Sequence, residues 1–170
     1  MAKIIVLDTS FLIELFGLPV DSDQDAHERA CACYEDILNK NYDIYVPLGV
    51  VYELANHIVD VKNPGVRHEL ATKFTTIMLS AWKEDIPFTI IPSADGTELK
   101  MSEFDLLRLC EVYSTHLNEG LSLTDCTIIE AASTLKENYK ERGRKWLSHI
   151  LTKHQALKSY EPDSNQEYGF

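Results

Sequence analysis

The chain has 170 residues, 45% hydrophobic and 25% charged, the balance of one globular domain and not of a disordered or fibrous chain. No apolar stretch approaches the ~20 residues of a membrane span, and Ile4 to Leu7 is too short for a signal peptide, so no membrane partner is expected. The net charge of −11 opposes indiscriminate binding to a polyanion.

In chain order, Lys3 to Leu7 is an apolar run without alternation, which predicts a strand covered on both faces, and Asp8 closes it. Asp8, Thr9 and Ser10 can cap a helix over Phe11 to Phe16 that stops at Gly17 and Pro19. Gln24 to Asn39 reads as a helix, Asp43 to Val46 as a short strand, and Pro47 as the first turn of a helix running to about Val59. After the turn at Asn63-Pro64-Gly65 come a helix over Val66 to Lys83, a strand over Phe88 to Ile91 and a loop from Pro92 to Gly96. Met101 to Leu117 reads as helical, Leu121 to Leu135 as a largely buried helix to which Leu123 contributes, and Trp146 to Leu151 as a last strand. Residues 161–170 read as a loose acidic tail beyond a domain spanning 1–160. Strands separated by helices call for right-handed crossovers, hence an α/β fold: a three-layer α/β/α sandwich around a mostly parallel sheet of four to five strands.

Four cysteines, at 31, 33, 110 and 126, form no Cys-x-x-Cys pair; Cys31 and Cys33 would point about 200° apart on a helix. They read as reduced, buried thiols in a cytoplasm. The six histidines offer no helical i, i+3 or i, i+4 pair, which disfavours zinc. No nucleophile elbow, phosphate-cradling glycine loop or dinucleotide fingerprint is present.

What stands out is carboxylates in apolar surroundings. Asp8 follows a buried strand, Asp125 shares an angular stripe with Ile129 and Ala132, and Glu53 borders the apolar face of its helix. Plainer roles compete: Asp8 as a helix cap, Ser122 and Asp125 as a capping box, Glu53 as a solvated side chain. Yet sites in open α/β sheets form beyond the carboxyl ends of the strands, and all three acids fit that edge. Carboxylates gathered there repel by about 4 kcal/mol per pair at ~4 Å and an effective dielectric of ~20, a conflict that a hard divalent cation, Mg²⁺ or Mn²⁺, resolves.

Three segments together resemble the PIN-domain ribonucleases, including the VapC-type toxins of toxin–antitoxin modules: Ile4-Ile5-Val6-Leu7-Asp8-Thr9-Ser10, Val46-Pro47-Leu48-Gly49-Val50-Val51-Tyr52-Glu53-Leu54 and Leu121-Ser122-Leu123-Thr124-Asp125-Cys126-Thr127-Ile128-Ile129. The resemblance implies that Asp8, Glu53 and Asp125 are metal-holding catalytic acids supported by Ser10, with RNA as substrate and a cognate antitoxin and a second copy of the chain as partners. The family tends to end its last strand with Thr-x-Asp or Thr-x-Asn; here Thr152-Lys153-His154 puts a histidine in the fourth position, able to contact a phosphate, to ligate weakly or to mark a site without activity. Between residues 140 and 158, Lys140, Arg142, Arg144, Lys145, Lys153 and Lys158 stand against Glu141, and this stretch reads either as a phosphate track beside the last strand or as a solvated basic helix end.

Overall fold

The computed structural model describes residues 2–19, 21–93, 99, 106–164, 168 and 170, with Glu141 described by its backbone alone. Among the described residues the sheet has four strands, all parallel, in the order β3-β2-β1-β4: β1 Ala2–Leu7, β2 Asp43–Pro47, β3 Thr89–Ile91 and β4 Trp146–Leu151. The helices are α1 Thr9–Phe16, α2 Gln24–Asn39, α3 Leu48–Val59, α4 Pro64–Glu84, α5 Leu106–His116, α6 Leu123–Tyr139 and α7 Gln155–Lys158. The fold is thus α/β, compatible with the expected three-layer sandwich. No helix among the described residues is long and apolar enough to cross a membrane.

The unalternating run at Ile4 to Leu7 is fully buried because β1 is central, with β2 on one side and β4 on the other. Strand order carries the functional consequence. The chain steps outward from β1 to β2 to β3, then returns across the sheet to lay β4 on the far side of β1. The junction of β1 and β4 is therefore the topological switch point, where the crevice of an open α/β sheet lies.

The element boundaries are set by caps that hydrophobic periodicity does not register. Asp8 caps α1 through its carboxylate, so the helix opens at Thr9, before Phe11; Gly17 ends it in the left-handed region at φ 64°. Asn63 caps α4 and allows Pro64 into its first turn. Ser122 caps α6, which starts at Leu123 and runs past Leu135 because Tyr139 is also buried; Leu123 itself is exposed, contrary to the expectation for it. Residues 94–96 of the expected loop and 101–105 of the expected helix start lie outside the described residues.

Two further expectations need correction. The four thiols are free, but only Cys126 is buried: Cys31 and Cys33 are half-buried and Cys110 is exposed, since α5 turns it outward. Burial nonetheless pushes the Cys33 thiol up to about 11, with Asp36 adding to the shift. The tail, where described, is docked. Glu161 accepts from Ile150 N–H at 2.8 Å, Asp163 accepts from Ser148 N–H at 2.9 Å, and the Phe170 ring packs edge-on against Phe11 at 5.0 Å.

Candidate active site

Asp8 emerges from the carboxyl end of β1, its N–H still bonded to Leu151 C=O at 3.1 Å, and is buried. Its carboxylate accepts from four donors: Thr9 N–H at 2.6 Å on Oδ1, and Ser10 N–H at 3.3 Å, Ser10 Oγ at 2.6 Å and Thr152 Oγ1 at 2.7 Å on Oδ2. The two backbone donors are the helix cap that the sequence allowed. The Thr152 hydroxyl arrives from the end of β4, across the switch point, and a cap does not require it. Four donors offset part of the cost of burying this side chain.

From Asp8 the hydrogen bonds spread in two directions. Thr9 Oγ1 donates to Glu53 Oε2 at 2.7 Å, which ties the acid of α3 to the residue after Asp8. Thr152 Oγ1 accepts from His154 N–H at 2.9 Å, and the His154 ring brings Nδ1 to 3.9 Å from Asp125 Oδ2. The same Asp125 oxygen accepts from Ser122 N–H at 2.6 Å, so the capping box is formed as well. The starts of α3 and α6 approach closely: a Cβ on Gly49 would stand 3.5 Å from Thr124 Cγ2. That contact brings the helices bearing Glu53 and Asp125 to one edge of the sheet.

Glu14 escaped the sequence reading. It is the one acid among the eight residues of α1, is buried, and binds both Ser22 Oγ and the Lys153 ammonium. Lys153 N–H also donates to Ser10 Oγ at 2.9 Å, so the Thr152-Lys153-His154 turn is pinned at backbone and side chain. The signal was present in the sequence: a lone acid between Ile13 and Leu15 in an otherwise apolar helix.

Ser10, Thr152, Lys153 and His154 therefore join Asp8, Glu53 and Asp125 at one edge. Arg142, Arg144 and Lys145 do not. β4 pairs with β1 from Ala2↔Trp146 to Leu7↔Leu151, so the residues before Trp146 lie at the amino edge. The length of the strand, roughly 17 Å at ~3.3 Å per residue, separates them from Asp8. The expected single basic track is thus divided between the two ends of β4.

The three acids and the hydroxyls beside them offer oxygen donors of the kind a hard cation takes, with the His154 ring nitrogen alongside. Among the described residues, however, no three of His, Cys, Asp and Glu are gathered as a set ready to hold a metal ion. The acids are joined through hydroxyls and backbone, not by direct convergence. In comparison with known proteins, no family model matches this chain, and no curated protein matches it either.

Proposed function

We propose that this chain is a metal-dependent ribonuclease that hydrolyses RNA phosphodiester bonds at the switch point between β1 and β4. The observation that carries the reading is Asp8: a buried carboxylate at the carboxyl edge of the central strand, fixed by Thr152 from the neighbouring strand and linked through Thr9 to Glu53. Ligands of open α/β sheets bind at that edge, and a carboxylate held there in one orientation suits a site that takes a cation. Asp8, Glu53 and Asp125 would hold the cation, Mg²⁺ or Mn²⁺; their closure onto it is the movement the proposal requires. A cation bound there supplies charge neutralisation at the scissile phosphate and an activated water. Thr152 and Ser10 keep Asp8 oriented, Thr9 steadies Glu53, and Lys153 and His154 stand at the rim as phosphate contacts. The resemblance further suggests a toxin role in the cytoplasm with a cognate antitoxin and a homodimer as partners.

A second reading rests on His154. Its ring nitrogen, 3.9 Å from Asp125, offers that acid a positive charge from within the chain whenever the imidazole is protonated. A site compensated in this way would bind RNA or a protein partner without cutting. The two readings separate in a single set of assays. With Mn²⁺ added, the chain should cleave single-stranded RNA, calorimetry should show Mn²⁺ binding, and Asp8→Asn should abolish both. Cleavage that survives in both Asp8→Asn and Asp125→Asn would rule out the nuclease reading; RNA binding with no cleavage, restored by His154→Asp, would support the second.

A further inference from the structure

At the amino edge of the sheet, remote from the acids, Lys136, Lys140, Arg144, Lys145, Trp146 and Asp163 line a cavity of about 340 Å³. That volume lies within the ~300–1,000 Å³ of small-molecule sites. Lys136 is neutralised by Asp163 at 2.8 Å and Lys140 by Glu137. Arg144 and Lys145 are exposed, and neither has a carboxylate partner among the described residues.

Arg144 is nevertheless positioned. Its guanidinium rests on the Trp146 ring, 4.4 Å from the centroid, and that ring stands edge-on against Tyr139 at 4.5 Å. An aromatic face holds a guanidinium without consuming its N–H donors, so they remain available to the oxygens of a phosphate group. The Trp146 ring is also part of the cavity wall, its Nε1–H buried without an acceptor among the described residues.

We infer that this cavity binds a small, multiply charged phosphoanion. Ordinary oxyanions of single charge gain little from several cations at once, whereas adjacent phosphates can engage Arg144, Lys145 and the two neutralised lysines together. The whole-chain charge of −11 argues for a compact ligand. At physiological salt, charges beyond ~8 Å are largely screened, so a ligand confined to the cavity meets its cationic lining, while a polymer running on across the surface meets the acids.

The test uses the full chain with Trp82→Phe, which leaves Trp146 as its tryptophan, titrated with inorganic pyrophosphate and tripolyphosphate and followed by fluorescence and calorimetry. Saturable binding should appear, tighten from pyrophosphate to tripolyphosphate, and weaken by about tenfold or more in Arg144→Gln and in Lys145→Gln. Because Arg144 packs on Trp146, Lys145→Gln provides the variant that leaves the aromatic contact in place. Absence of saturable binding, or binding indifferent to both substitutions, would overturn the inference and leave these residues as a solvated basic surface. So would a short single-stranded RNA that binds through Arg144 and Lys145 more tightly than tripolyphosphate, since the site would then belong to nucleic acid. Neither result depends on whether the chain cleaves RNA.

Discussion

Thr152→Val removes one hydroxyl from a buried carboxylate while nearly preserving side-chain shape, and it takes from His154 N–H its acceptor at the same time. The loss of a hydrogen bond to a charged group at a buried position should lower stability by about 1.5–3 kcal/mol, read from the denaturant midpoint. Asp8→Asn should cost comparably, because Oδ2 accepts from three donors and an amide nitrogen cannot serve them. If Thr152→Val left stability unchanged, the Asp8 network would not be holding the switch point together. Asp8 and Asp125 were legible because an acid in apolar surroundings is anomalous wherever it occurs. Their partners were not: the Thr152 bond joins residues 144 apart in sequence, and no local pattern announces such a pair. Glu14 carries the same signal as Asp8, a lone acid among apolar residues, which the start and stop signals of α1 do not register.

At the scale of elements, β4 pairs with β1 on one side and lies at the end of the sheet on the other. Its outer groups are occupied by side chains: Ser148 N–H by Asp163, Ile150 N–H by Glu161, and Ile150 C=O by the Lys158 ammonium at 2.7 Å. Burial alone would raise the Glu161 carboxyl, but the His149 imidazole, the Lys158 ammonium and Ile150 N–H outweigh it and hold the pKa below the ordinary glutamate value. His149 Nδ1 comes within 3.3 Å of Glu161 Oε1. A carboxyl depressed on folding adds stability that is present in full above its unfolded pKa near ~4.3 and drains as pH falls through the lower folded value. Glu161→Gln should therefore lower stability at neutral pH and flatten its decline below about pH 5, measured by thermal melts across the acid range. A decline as steep as in the parent chain would exonerate Glu161. The strands and most helices were legible from their apolar patterning, Trp146–Leu151 to the residue. This edge arrangement was not, because an acidic C-terminal segment has the composition of a solvated tail, and only the position of β4 at the end of the sheet gives its acids backbone donors to bind.

For the whole molecule, the sheet sets two chemistries at opposite ends of the same strands. The acids collect at the carboxyl edge, and the cavity cations at the amino edge. Sequence adjacency suggested a single basic track because Arg144 and Lys153 stand close in the chain, but β4 runs between them and spends those residues crossing the domain. The separation, roughly 17 Å, is about twice the Debye length at physiological salt, so the two ends should act independently. Asp8→Asn should leave tripolyphosphate binding within about twofold of the parent chain, and Arg144→Gln should leave Mn²⁺ binding equally untouched. Coupling beyond that range in calorimetry would mean that the sheet transmits what screening should extinguish. The parallel sheet and the net charge could be read from the sequence; the order of the strands and which charges face which end could not, because those depend on how the strands pair and where each begins and stops.

The side chains on the outer edge of β4 also bear on folding. Lys158, Glu161 and Asp163 follow β4 in the chain, so during folding its outer backbone groups stay open until that segment docks. For that interval its backbone is an open template, free to recruit an extended strand from a neighbouring chain. A chain ending at residue 157 would stay in that condition permanently, with strand-to-strand assembly as its expected fate.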